Sequence, residues 1–126
     1  MRAIDTKVLV RLIVRDDAKQ LRVAQKFITS GVWISHVVLV ETLSVLESVY
    51  EVDRHGIAET VETALDHPDL TIQDAAAVSA ALATFRKRSK VDFSDCLAIE
   101  VARKAGHLPL GTFDRNLART EGAEAL

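Results

Sequence analysis

The sequence predicts an α/β protein in which a mostly parallel sheet is covered by helices on both faces. Two observations carry this expectation. Short apolar runs of strand length alternate with longer segments of helical period along the whole chain, and helix-capping residues and breakers punctuate the alternation. In addition, 126 residues without an internal repeat or linker fit one domain spanning residues 1–126, large enough to bury about two thirds of its unfolded surface.

The elements follow in order. Ala3-Ile4 reads as a short strand running into Asp5-Thr6, and the apolar segment from Val8 to Val14 as a helix. Asp16-Asp17 open an amphipathic helix through Phe27-Ile28, Ser30-Gly31 close it, and Val32-Trp33-Ile34 is the second strand. Ser35 is the N-cap of a helix from His36 to about Val52, with Leu39, Leu43, Leu46 and Tyr50 at helical spacing and His55-Gly56 as the breaker after it. Ile57 to Asp66 is a further helix ended by His67-Pro68, and Leu70-Thr71-Ile72 is the third strand. The alanine-rich stretch from Asp74 to Arg88 has strong helix propensity. Asp92-Phe93-Ser94-Asp95 then turns into a helix reaching about Ala105, stopped by Gly106. Leu108 to Thr112 is the last strand, followed by Phe113-Asp114, a short helix from Arg115 to Arg119, and a tail to which partial order is open. Crossovers between parallel strands are right-handed, and ligands of such sheets bind beyond the carboxyl ends of the strands.

Composition narrows the functional classes. Apolar residues at 48% and charged residues at 27% exclude a disordered or fibrous chain. A formal charge of −2 means that nucleic acid would have to be held by a local basic patch and a bound metal rather than by a uniformly positive surface. Cys96 is the single cysteine, so an intramolecular disulfide and a Cys-rich zinc site are both excluded. With no signal-peptide pattern in Met1-Arg2-Ala3-Ile4-Asp5 and no apolar run of membrane-spanning length, the expectation is a cytoplasmic protein without a membrane partner.

The carboxylates carry the chemistry. Asp5 directly follows the first strand and Asp114 the last, which places both at the carboxyl edge of the sheet, although an Asp opening a helix also serves as an N-cap worth about 1 kcal/mol. Glu41 has Val37, Val38, Ser44 and Val45 three and four residues away and is therefore expected to be turned from solvent, where a carboxylate needs a compensating charge. Asp95 shares its helical face with Ala98, Ile99 and Ala102, whereas Glu100 can pair with Arg103 or Lys104 and is set aside. Oxygen ligands without His or Cys suit Mg²⁺ or Mn²⁺, a cation that activates water and steadies charge on a phosphate. Without the cation the acids repel and at least one pKa rises, so replacing Asp5, Glu41 or Asp95 by Ala is expected to leave the fold intact.

Four runs, Ile4-Asp5-Thr6-Lys7-Val8-Leu9-Val10, Val40-Glu41, Asp92-Phe93-Ser94-Asp95-Cys96-Leu97-Ala98 and Gly111-Thr112-Phe113-Asp114-Arg115, together resemble the PIN-domain ribonucleases, most closely the VapC-type toxins. The resemblance covers nearly the whole chain in order and spacing. It implies a three-layer α/β/α sandwich, an endoribonuclease dependent on Mg²⁺ or Mn²⁺, a homodimer, and neutralisation by a cognate VapB-type antitoxin; structured RNA, with tRNA as one candidate, is the expected substrate. By position it implies that Asp5, Glu41, Asp95 and Asp114 are the catalytic, metal-binding acids, that Asp92 is an accessory acid, and that Thr6 and Thr112 orient the acids. One position departs from the family pattern. Lys7 stands where Asn usually follows Asp-Thr, and its ammonium on a flexible stem, turned inward, would compete with a divalent cation. The alternative function is therefore a PIN-fold binding module of weak or absent activity.

The remaining signals are weaker. Arg86-Lys87-Arg88 with Lys90, and separately Arg115 and Arg119, are candidates for RNA phosphates, against the ordinary preference of cations for helix C-termini. No paired base makes Cys96 a nucleophile, and His36, His55, His67 and His107 lack ligand spacing. Trp33 and Phe113 could stack on bases, but aromatics beside short strands more often belong to a core or an interface. A phosphoacceptor receiver domain shares the alternation of elements but requires an acidic pair after the first strand and a late Lys that this chain lacks.

Overall fold

Six of the seven helices of the computed structural model, which describes residues 1–126, begin at an aspartate and the seventh at a serine, so helix initiation follows directly from the sequence. Helices and parallel strands alternate, which makes the protein mixed α/β. The chain divides into two compact units, Met1–Gln73 and Asp74–Leu126.

In the first unit the order is β1 (Arg2–Ala3), α1 (Thr6–Val14), α2 (Ala18–Ile28), β2 (Val32–Ile34), α3 (His36–Ser48), α4 (Arg54–Asp66) and β3 (Leu70–Ile72). The strands form a parallel sheet in the order β1-β2-β3, with Arg2 opposite Val32 and Val32 opposite Leu70. Period-two alternation turns Val32 and Ile34 fully inward while Trp33, between them, faces the other way and stays partly exposed. Leu9, Leu39, Leu46, Ile57 and Val61 complete the core, each contributed by a helix whose apolar residues recur every three or four positions. Gly31, with φ of +86°, takes the left-handed conformation that lets α2 hand over to β2.

In the second unit, α5 (Ala75–Lys87) packs against α6 (Phe93–Ala105), followed by β4 (Leu110–Thr112), α7 (Arg115–Ala118) and β5 (Ala123–Ala125). Small residues on α5, Ala77 and Ala81, allow close approach of the two helices, and Phe85 meets Phe93 edge to face with ring centroids 5.9 Å apart. β4 and β5 pair in parallel, Leu110 opposite Ala123 and Thr112 opposite Ala125.

Apart from shifts of one or two residues at other ends, such as β1 at Arg2–Ala3 and β4 at Leu110–Thr112, four features differ from the sequence expectation. His55-Gly56 does not break the chain but lies in the first turn of α4, where Asp53 accepts a hydrogen bond from the Gly56 N–H at 2.8 Å; glycine costs little in a turn whose N–H groups have no intrahelical partner. The break falls earlier, α3 ending at Ser48 and Glu51 adopting a left-handed φ of 55°. Of Asp16-Asp17, only Asp17 caps α2. The tail forms β5, whose Ala-Glu-Ala composition has no strand propensity of its own and is ordered by pairing with β4. No helix is long and apolar enough to cross a membrane.

Candidate active site

The acids of the first unit stand on α1 and α3. Asp5, in extended conformation, ends the short link from β1 and caps α1: its Oδ1 accepts a hydrogen bond from the Val8 N–H at 3.1 Å. The cap fixes the carboxylate while its Oδ2 carries no protein hydrogen bond. Asp5, Thr6 and Lys7 on one side and Val38, Glu41 and Val45 on the other line a cleft of about 480 Å³ between the two helices. Two of the predicted acids thus share one cleft, and Lys7 stands on its wall with them.

Glu41 is exposed, contrary to the expectation of a carboxylate turned from solvent. The reason is that α3 carries apolar residues around most of its circumference, and the stripe that packs is Leu39, Thr42, Leu43 and Leu46. The neighbours that suggested burial belong to the other face, where Val37 is itself 73% exposed. Water therefore reaches Glu41 and lowers the cost of its charge.

In the second unit, Asp92, Asp95 and Asp114 interact electrostatically. Burial, followed by repulsion from Asp92 and from Asp114, raises the Asp95 carboxyl above its ordinary 3.8. Asp95 is half-buried in the first turn of α6, with Ile99 buried one turn on and Ala98 exposed. Asp92 occupies the N-cap of that helix but makes no side-chain cap hydrogen bond, unlike the other five aspartate caps. Its carboxylate is therefore left for other partners. Asp114 behaves oppositely, its Oδ1 accepting hydrogen bonds from Asn116 N–H at 2.8 Å and Leu117 N–H at 2.9 Å. Thr112 steadies the same turn by accepting the Asp114 N–H on Oγ1 at 3.0 Å. The hydroxyl thus sets the backbone of the acid.

The donor chemistry fits a hard cation, since each unit offers carboxylate oxygens and Asp114, like Asp5, keeps an Oδ2 without a protein hydrogen bond. Within neither unit do three or more His, Cys, Asp or Glu side chains close around a single metal position. Glu100 is paired with Arg103 at 3.3 Å. Arg86 and Arg88 are exposed at the C-terminal end of α5, and Arg115 is exposed at the start of α7. Cys96 is buried.

One polar group beside the cleft was not legible in the sequence. The Arg11 Nη1 donates to the Tyr50 hydroxyl at 3.4 Å, and that hydroxyl donates to Asp16 Oδ2 at 3.2 Å; Arg11 and Tyr50 both line the cleft of Asp5 and Glu41. The spacing of Lys7 and Arg11, one helical turn apart, signals a shared face of α1, but a partner 39 residues away leaves no local trace.

A model of the PIN domain matches residues 3–123, with matched residues in both units. No curated protein and no solved structure matches the chain. PIN domains are in general metal-dependent nucleases acting on RNA, which agrees with carboxylates that follow strands and open helices. The chain belongs to the PIN domain family.

Proposed function

We propose that the protein is an endoribonuclease dependent on Mg²⁺ or Mn²⁺, a VapC-type toxin acting in the cytoplasm as one domain over residues 1–126. The observation that carries the reading is the acidic group of the second unit, where Asp95 is held next to Asp92 and Asp114 at the expense of its ionised form. A fold keeps mutually repelling carboxylates when a cation is to join them. In this reading Asp5, Glu41, Asp95 and Asp114 hold the metal, with Asp92 accessory and Thr6 and Thr112 supporting. When bound, the cation supplies Lewis-acid stabilisation of charge on the phosphate and lowers the pKa of water. The chain's own residues orient it. The cap of α1 fixes Asp5, and the paired caps of α7 together with Thr112 fix Asp114. Arg86, Arg88 and Arg115 bind RNA phosphates. A homodimer and a VapB-type antitoxin that folds onto the acids complete the proposal, by family likeness.

A second reading has its own observation. Lys7 lines the cleft of Asp5 and Glu41, and an ammonium swung toward those carboxylates would oppose a divalent cation, as a binding module of weak activity would require. Incubating partner-free protein with tRNA and other RNA, with Mg²⁺, with Mn²⁺ and with EDTA, decides between the readings. Cleavage that needs the metal and is lost in Asp95→Asn supports the nuclease. RNA binding without cleavage at any metal concentration supports the module, and cleavage undiminished by EDTA refutes the metal mechanism.

A further inference from the structure

We infer that Phe113 and Arg115 form a nucleotide-binding lip beside the acids of the second unit, the Phe113 ring stacking on an unpaired base of single-stranded RNA and Arg115 taking a neighbouring phosphate. The inference rests on the proposed RNA-cleaving function and specifies which form of RNA the site accepts.

Phe113 is 86% exposed, more than any other large hydrophobic residue of the chain. This rules out the core role that its place beside a strand suggests. A lone exposed apolar side chain is ordinary. What distinguishes Phe113 is the turn that carries it. Thr112 Oγ1 accepts the Asp114 N–H, and Asp114 Oδ1 accepts two further N–H groups, so the backbone on the C-terminal side of the ring is pinned by three hydrogen bonds. A ring on a fixed backbone loses little freedom when it stacks. Arg115 follows the pinned aspartate, is exposed and forms no ion pair with the protein. Ring, carboxylate and guanidinium therefore leave the chain in consecutive positions, and the carboxylate between them is one of those that act on Asp95.

Charge supplies the reason for a stacking contact. The chain carries a formal charge of −2, and the carboxylates of this unit repel a phosphate backbone, so general electrostatic attraction cannot supply the affinity. Stacking on an aromatic face is indifferent to that repulsion and tolerant of sequence. It also requires a base turned out of its helix, because the bases of an A-form duplex are stacked on one another. The favoured ligand is accordingly a loop, bulge or single strand.

The test measures binding of a short labelled single-stranded oligoribonucleotide by fluorescence anisotropy in EDTA, where cleavage does not intervene, alongside cleavage of the same RNA in Mg²⁺. Phe113→Ala is expected to weaken binding roughly 5- to 150-fold. Phe113→Trp should retain affinity, with its indole fluorescence quenched by the RNA, and Arg115→Ala should reduce the salt dependence of binding by about one phosphate contact. Duplex RNA of the same sequence should bind wild type and Phe113→Ala alike. Wild-type protein that cleaves the RNA while Phe113→Ala binds undiminished overturns the lip and leaves the nuclease standing. Wild-type protein that neither binds nor cleaves RNA overturns both. A change of oligomeric state in Phe113→Ala with unchanged RNA affinity assigns the ring to a protein interface instead and also refutes the inference.

Discussion

Asp114 has two duties that substitution can separate. Its Oδ1 takes the N–H groups of Asn116 and Leu117 at 2.8 and 2.9 Å, which caps α7, and its charge contributes to the acidic group around Asp95. Asp114→Ala removes both. Loss of an aspartate N-cap costs about 1 kcal/mol, and α7 has only four residues, so no later turn of the helix takes over the freed N–H groups. For a chain of this length that corresponds to a fall in Tm of about 4 °C. Asparagine caps as well as aspartate, so Asp114→Asn should melt within about 0.5 kcal/mol of wild type while losing the charge. Thermal unfolding by circular dichroism and RNA cleavage in Mg²⁺, measured on all three proteins, give the comparison. Both variants are expected to lose cleavage, but only the alanine variant to lose stability. Full cleavage by Asp114→Asn would refute the role of the carboxylate, and equal melting of the two variants would refute the cap. The same argument applies to Asp5, whose Oδ1 caps α1, so of the replacements at Asp5, Glu41 and Asp95 the one at Asp5 should lose stability when alanine is used.

Asp95→Asn should raise Tm at neutral pH. The carboxyl is raised in the folded protein by burial and by Asp92 and Asp114, so its ionised form destabilises the fold above that raised value. The gain should vanish as pH falls below 3.8, where wild-type Asp95 is also neutral; melting of both proteins across that range tests it, and a gain independent of pH would contradict the assignment. Lys7→Asn should tighten Mg²⁺ binding and raise RNA cleavage most at limiting metal, because Lys7 lines the cleft of Asp5 and Glu41 and its charge opposes that of the ion. Calorimetric titration giving equal affinities would show that Lys7 does not govern the site.

The elements that could be read from the sequence are those whose limits are set by local chemistry. Asp17 and Phe27-Ile28 mark α2, and Gly106, with φ of +84°, stops α6 because its left-handed conformation turns the His107 N–H back onto the Ala102 carbonyl at 2.8 Å. Tertiary context decided the others. β5 exists through its pairing with β4, and Gly56 enters α4 because Asp53 receives its N–H. The same division runs through the site. Asp5 and Asp114 stand where a strand gives way to a helix, a position visible in sequence. The surroundings of Glu41 were misread because a helix apolar on most sides does not reveal which stripe will pack. Arg11 and Tyr50 come together only in the folded chain.

In the proposed metal-dependent reaction the capped and uncapped acids would serve in different ways. A capped carboxylate such as Asp5 or Asp114 commits one oxygen to backbone N–H groups, which holds the group still and leaves the other oxygen for a ligand. Asp92 has no cap bond, and half-buried Asp95 is repelled by it. A divalent ion bound by these acids would relieve that repulsion. In that reading the capped acids would contribute geometry and the uncapped ones differential affinity for the cation. A chain with only capped acids would gain less from Mg²⁺, because its carboxylates are already satisfied by N–H donors.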